Sequence, residues 1–462
     1  MISPKKTFLT LLAVFFLLGV GNLILPLKIM ITDTLYLSNF NMGHFFVPPP
    51  QKHVDIAKIT ERVLVDSLQM AQPESLDKVT APRDSIYGIQ YPAGNDSILA
   101  PFFASLTSLA DSNTGHYRVL HFGDSQIEGD RITGVLRSMF QDKFGGCGTG
   151  MLHITDPMKV RHSHVLKGNH SWEKKPAYGP AGIGKNSKYF GMMASYFLAD
   201  TLYNQSDVLI SKTHQARKNE IKAQQVKLLY INHGDSSAKV SQNKIPLKCV
   251  EEDDFLAIFD LAEHKSDNVT LHLKEKNHKI IHGVSFDCKS GITFDNVPMR
   301  GSSGTEFTKI NPFLLNTQLK KLNTKLIIFQ FGVNVVPNVL SNYKFYEDLL
   351  YKQLMFFKNN TPGIPILVVG VSDMSKKEGD IYVSYPNVPL IRDAQKNAAF
   401  RAGCAFWDLY TNMGGENSMT SWVEAKPALA NKDYTHFTNT GASYVGKMLY
   451  KALIDEYDRQ KN

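Results

Sequence analysis

Cysteine is scarce in this chain of 462 residues: Cys147, Cys249, Cys288 and Cys404 are all there is, with no C-x-x-C spacing. That excludes a disulfide-rich scaffold and leaves a zinc site or dithiol redox motif without support. Cys249 and Cys288 lie in one β-rich segment and are a candidate pair. No internal repeat is found, so a solenoid or propeller is excluded. A nucleic-acid motif and a dense Lys/Arg stripe are also missing. The net charge of +8 therefore reads as a scattered, solvated surface, favouring anionic neighbours such as acidic glycans or lipid headgroups over nucleic acid. With 43% apolar and 20% charged residues the chain is globular rather than disordered. Its length leaves room for roughly two to three folding units.

Charge is absent from one long stretch. After Lys5 and Lys6, TFLTLLAVFFLLGVGNLILPL runs from Thr7 to Leu27 without a charged side chain. About 20 apolar residues span a bilayer as a helix, and basic residues before such a span keep that end in the cytoplasm. A cleavable signal peptide is the rival reading. It would have a shorter apolar core and a small-x-small site, and no convincing A-x-A follows here. The expectation is an uncleaved, single-pass anchor over residues 1–30, with the rest of the chain extracytoplasmic, in the periplasm.

Residues 31–95 read as a stalk, with Pro48-Pro49-Pro50 and a helix-like stretch Val54–Gln72. Ser97–Ser112 has apolar positions at helical spacing. Strand-like YRVLHFG (Tyr117–Gly123) precedes helix-like EGDRITGVLRSMFQDKF. Later, KLIIFQFG, PILVVGV and CAFWDL read as buried strands separated by amphipathic helices, the second closed by Gly403, a favoured C-cap residue. Short apolar strands alternating with helices imply a parallel sheet covered on both faces. Between residues 164 and 289 that rhythm stops. VKLLYI, FLAIFDL, NVTLHL and IIHGVSFDC are short β-like runs between turns, read as an inserted β-sandwich that divides the α/β domain into residues 96–163 and 290–462. Phe190–Tyr203 is ambiguous between helix and buried strand.

Four short blocks sit after predicted strands. In HFGDSQIEGD, Ser125 follows a strand end, where ligands collect in doubly wound sheets. A helix is expected to begin just after it, so its N–H groups would favour an anion such as a developing oxyanion. By itself, DS is more often a helix cap. In DNVPMRGSSG, Gly301 allows close backbone approach and offers an N–H. In QFGVNVV, Asn334 offers a side-chain amide. In NKDYTHFTNTG, Asp433 stands three residues before His436, close enough to fix the imidazole tautomer and stabilise its protonated form. Each block alone is an ordinary turn; the four in this order are not.

Together they resemble the SGNH (GDSL-like) hydrolase superfamily, named for Ser, Gly, Asn and His in four blocks. The resemblance covers roughly residues 102–147 and 291–457. It implies a flavodoxin-like α/β hydrolase with Ser125 as nucleophile, His436 as general base and Asp433 orienting His436. The Ser125 and Gly301 amides and the Asn334 side chain would form the oxyanion hole. No cofactor or metal is implied. The most similar subgroup is that of bacterial cell-envelope O-acetylesterases and O-acetyltransferases, some with a carbohydrate-binding-module-like β domain between the Ser and Gly blocks. FWDLYTNMGGENSMTSW before DYTH also fits that subgroup. Two departures stand out: Gln126 replaces a common Leu, and Val335 replaces a frequent acidic residue.

His153, His162 and His164 cluster in sequence, but their spacing matches no zinc pattern, so surface or hydrogen-bonded histidines are expected. Trp172, Tyr178, Tyr189 and Phe190 are candidates for stacking on sugar rings, with packing the commoner fate. The expected activity is removal of O-acetyl groups from an acetylated polysaccharide or peptidoglycan through an acetyl-enzyme. The alternatives are O-acetyl transfer by the same site, beside a membrane-bound O-acyltransferase, and a non-catalytic glycan-binding protein, against which the intact Ser, Asp and His count.

Overall fold

The computed structural model describes residues 8–14, 16–17, 20, 28–30, 36–38, 51–61, 86–155, 163–168, 172–182, 188–199, 205–213, 215–232, 239–262, 268–274 and 280–461. It resolves into two compact units, residues 1–53 with 376–383, and residues 54–375 with 384–462.

In the first unit, residues 8–14 are helical, and Phe8, Leu9, Leu11 and Leu12 are exposed. They form part of the uncharged run Thr7–Leu27; its remainder is largely outside the described residues. Among the described residues no helix is long and apolar enough to cross a membrane. Lys28–Met30 and Tyr36–Ser38 pair antiparallel. The Gln51 side chain donates to the Tyr382 carbonyl at 2.6 Å and accepts from the Tyr382 N–H at 3.0 Å. Most of the stalk lies outside the described residues. Of the helix expected over Val54–Gln72, residues 56–61 are helical in the second unit, where Ile59 is buried in the core.

The second unit is built on a six-stranded sheet. Its strands are β1 (Ile89–Gln90), β2 (His116–Gly123), β3 (Gly291–Pro298), β4 (Thr324–Gln330), β5 (Ile366–Val369) and β6 (Ala405–Trp407). The flanking helices are α1 (Ala100–Ser112), α2 (Thr133–Phe144), α3 (Pro312–Lys321), α4 (Lys344–Asn360), α5 (Val388–Arg401) and α6 (Asn439–Lys461). The spatial order is β3-β2-β4-β5-β6-β1. All neighbours are parallel except β6 and β1. Setting β1 aside, this is the flavodoxin-like strand order, and its direction reverses between β2 and β4.

The period-two side-chain alternation of a strand divides the core. Leu326 and Ile328 of β4 face one way, into a layer with α1, α2 and α6. Ile327 and Phe329 face the other, into a layer with α3, α4 and α5. Each fully buried Leu, Ile or Phe contributes roughly 1.5–3 kcal/mol, so a strand apolar on both faces is stable only inside such a sandwich. Gly403, at φ +63°, follows the end of α5 as expected of a C-terminal cap.

The intervening segment forms two antiparallel sheets. The seven-stranded sheet runs 249–252, 256–260, 225–231, 280–287, 195–199, 172–176, with Gly150–Leu152 also paired to 280–287. The five-stranded sheet runs 245–246, 239–242, 268–274, 205–212, 164–168. Val226, Leu228 and Tyr230 point between the two sheets, while Leu229 points to the α/β core with Met151, Tyr196 and Ile280. The ambiguous stretch Phe190–Tyr203 contains a turn and the strand Ser195–Ala199.

Buried ion pairs tie this β layer to the α/β sheet. Arg118 of β2 donates to Asp295 of β3 and to Asp287 of the β layer, both at 2.5 Å, with all three side chains inaccessible. Lys227 lies 3.5 Å from Asp287. Burial would raise the Asp287 carboxyl, but the Arg118 and Lys227 charges overcome it and hold it far below the usual range. Arg137 of α2 likewise pairs with Asp130 at 2.7 Å and with Glu220 of the β layer at 3.1 Å.

The disulfide differs from the candidate pair. Cys147 bonds Cys288, with Cα atoms 5.0 Å apart, and Cys249 is free. Cys249 lies on the edge strand 249–252, three strand spacings from 280–287. At about 4.8 Å per spacing the gap is about 14 Å, twice the reach of a disulfide.

Candidate active site

The strand register brings the four blocks together. Pro298 of β3 and Gln330 of β4 are both paired with Gly123 of β2. The loops carrying Ser125, Gly301 and Asn334 therefore leave the sheet side by side, where its winding reverses. Phe122 packs against Phe307, Phe329 and Phe357 with centroids 4.9, 5.5 and 5.6 Å away, an apolar floor joining β2, the segment after Gly301, β4 and α4. Gly332 has φ +132°, and a Cβ there would lie 2.7 Å from Val371, so only glycine fits this turn.

Ser125 Oγ is 2.8 Å from His436 Nε2, and His436 Nδ1 is 2.8 Å from Asp433 Oδ2. Asp433 Oδ1 also accepts from the Thr435 and His436 N–H groups, each at 3.0 Å. Burial would raise the Asp433 carboxyl, but the hydrogen bonds from His436 and Thr435 outweigh it and lower its pKa. Asp433 is thus a carboxylate when His436 is to act as a base. With Nδ1–H directed at Asp433, Nε2 is left to accept from the Ser125 hydroxyl.

Among the described residues, the Ser125 and Gly301 N–H groups have no acceptor. Gly301 has φ +81° with open space around it. Asn334 donates one N–H to the Ser302 carbonyl at 2.8 Å, which fixes the amide and leaves its second N–H available. All five expected site residues thus lie on loops at one end of the sheet.

The α-helix expected directly after Ser125 is not there. A 3-10 turn, Glu128–Asp130, comes first, and Gly129 at φ +73° interrupts any helix, so α2 starts at Thr133. The N–H donors at Ser125 belong to a turn rather than to an α-helix N-terminus. Asp124 shapes that turn by accepting from the Gln126 N–H at 3.0 Å and from the Val333 N–H at 3.4 Å. Burial pushes its carboxyl up to about 6 despite those bonds.

Two residues without an assigned role in the sequence reading bridge the Ser and His loops. Arg131 donates to the Ser125 carbonyl at 2.8 Å and to the Phe437 carbonyl at 2.7 Å; nothing in its sequence context marks it. Gln126 bonds to Thr435 and Phe437, and its signal was a polar residue where the resemblance has Leu.

His153 is within hydrogen-bonding range of Lys174 and Ser195, His164 stacks on Phe286, and His162 is outside the described residues. Among the described residues no group of three His, Cys, Asp or Glu is placed to hold a metal ion. Phe190 and Tyr178 are buried, and Tyr178 donates to the Pro298 carbonyl at 3.3 Å.

The flavodoxin-like α/β fold is shared with a solved structure. A solved structure of a peptidoglycan O-acetylesterase matches it with TM-score 0.63 at 20% identity, over 80% of this chain and 99% of that one. A GDSL-like lipase of Parabacteroides merdae (TM-score 0.25, 14% identity, 36% of this chain and 73% of that one) is more distant. So is a family two carbohydrate esterase of Clostridium thermocellum (TM-score 0.26, 8% identity, 61% and 97%). No family model matches the sequence, and no curated protein matches it.

Proposed function

We propose that this chain is a serine esterase that removes O-acetyl groups from a cell-envelope glycan. The observation that carries the reading is the hydrogen-bonded line Ser125–His436–Asp433 beside the Ser125 and Gly301 N–H groups, which have no acceptor among the described residues. Ser125 Oγ attacks the acetyl carbonyl carbon while its proton passes to His436 Nε2. The oxyanion is received by the Ser125 and Gly301 amides and by Asn334. The bond to the sugar oxygen then breaks, and His436 protonates that oxygen as it leaves. Water, deprotonated by His436, attacks the acetyl-enzyme; the bond to Ser125 Oγ breaks, His436 returns the proton to that oxygen, and acetate leaves. A sugar hydroxyl in place of that water would make the same site a transferase.

The test uses an O-acetylated glycan with wild type and Ser125→Ala. Wild type is expected to release acetate, and the variant to lose on the order of a thousandfold or more in rate. Acetyl recovered on a sugar acceptor would replace the esterase reading with transfer, and a fully active variant would end both.

The reading includes an extracytoplasmic location, with Thr7–Leu27 as anchor. The Cys147–Cys288 disulfide supports it, since such bonds persist in oxidising compartments. Without reduction, thiol alkylation of unfolded protein from the native host is expected to label Cys249 and Cys404 alone; labelling of Cys147 and Cys288 would refute export.

A further inference from the structure

Gln126 follows the nucleophile in the chain, yet its side chain grips the loop of the base. It is 2% exposed. Nε2 donates to the Thr435 carbonyl at 2.7 Å and to Ser372 Oγ at 3.2 Å, and Oε1 accepts from the Phe437 N–H at 3.3 Å. Both amide hydrogens and the carbonyl are in use. The orientation is determined by chemistry, because a flipped amide would set oxygen against the Thr435 carbonyl and N–H against the Phe437 N–H.

The two backbone groups it holds flank His436 on either side. His436 and Asp433 have side chains 31% and 49% exposed, so close packing does not locate the imidazole. Polar ties do: Asn431 N–H donates to the His436 carbonyl at 2.8 Å, Arg131 donates to the Ser125 and Phe437 carbonyls, and Gln126 bonds on both sides of His436. Gln126 starts one peptide bond from Ser125 and grips the base loop on both sides of His436. An apolar side chain here would leave the Thr435 carbonyl and Phe437 N–H without these partners, with Arg131 left to couple the two loops through the Ser125 and Phe437 carbonyls.

We propose that Gln126 is a positioning residue that sets the Ser125 Oγ to His436 Nε2 contact. This rests on Ser125 and His436 being the reacting pair. The pair is therefore tested first: hydrolysis of p-nitrophenyl acetate that survives Ser125→Ala would overturn the site itself, independently of Gln126.

With the pair established, Gln126→Met keeps the length of the side chain and removes its donors and acceptor. Per active site titrated with a fluorophosphonate, kcat is expected to fall at least tenfold with KM within twofold. In the His436→Ala background the same substitution is expected to leave the residual rate within twofold, because a residue acting through His436 is silent once His436 is gone. A purely structural role would lower both backgrounds alike. If the methionine variant does not fold, Gln126→Glu, which has the same shape and keeps only the acceptor, is read by the same criteria. The proposal is overturned if the variant retains kcat within threefold of wild type, or if its loss persists undiminished in the His436→Ala background.

Discussion

Asp433→Asn tests how a half-exposed carboxylate governs the base. Asp433 accepts three hydrogen bonds, two from backbone N–H groups on Oδ1 and one from the His436 ring on Oδ2. Asparagine supplies an acceptor on one side only. If its oxygen keeps the two backbone bonds, its NH2 group faces Nδ1. The ring must then carry its proton on Nε2, which lies 2.8 Å from Ser125 Oγ, and the base is lost. If its oxygen instead faces the ring, the correct tautomer survives but both backbone bonds break. Each broken bond costs about 0.5–1.5 kcal/mol where water reaches the site, so the productive form lies about 1–3 kcal/mol above the unproductive one. The carboxylate charge adds little to this, since solvent screens it. At 1.36 kcal/mol per factor of ten, kcat/KM for p-nitrophenyl acetate is expected to fall roughly fivefold to 150-fold, with the Ser125 titre unchanged. A variant within threefold of wild type would show that Asp433 does not determine the tautomer.

Asn334→Ala is expected to lower kcat roughly a hundred- to a thousandfold with little change in KM, the loss typical of one oxyanion donor. Asn334→Asp is expected to be at least as harmful, because a carboxylate repels both the oxyanion and the Ser302 carbonyl; an active Asp variant would remove Asn334 from the site. Asp373 is buried with one oxygen, Oδ1, lacking a partner among the described residues, and burial pushes its carboxyl up to about 6. A raised carboxyl favours the protonated folded state, so its stability contribution is full below about pH 4 and is lost as pH rises through about 6. A shift of about two units corresponds to about 3 kcal/mol. Urea unfolding of Asp373→Asn against wild type is therefore expected to show a stability difference that moves in the variant's favour by about that amount between pH 4 and pH 8. A pH-independent difference would refute the assignment.

Much of the α/β frame is legible along the chain, because helix and strand periodicities are local. The runs leading to Gly123, Gln330, Val369 and Trp407 read as buried strands from composition alone, and each forms one. The site blocks are legible for the same reason, since each is a few residues placed directly after a strand. The start of α2 was not, because Gly129 can sit inside a helix at modest cost or break it, and its φ of +73° depends on what surrounds it.

The amino-acid sequence by itself determined which residues are strand, helix and chemically reactive turn. Tertiary structure decided which of them meet. Cys288 bonds Cys147, 141 positions away, and not Cys249, because strand order sets distance in a sheet and sequence separation does not. Arg118 finds Asp287 in another layer, and Gln126 reaches Thr435 and Phe437 across 309 and 311 positions. Periodicity reports the environment of a side chain, apolar or polar, but carries no information about the identity of its partner. That identity follows from the register of β2 with β3 and β4, which sets the Ser, Gly and Asn loops side by side, with the His loop hydrogen-bonded to the first.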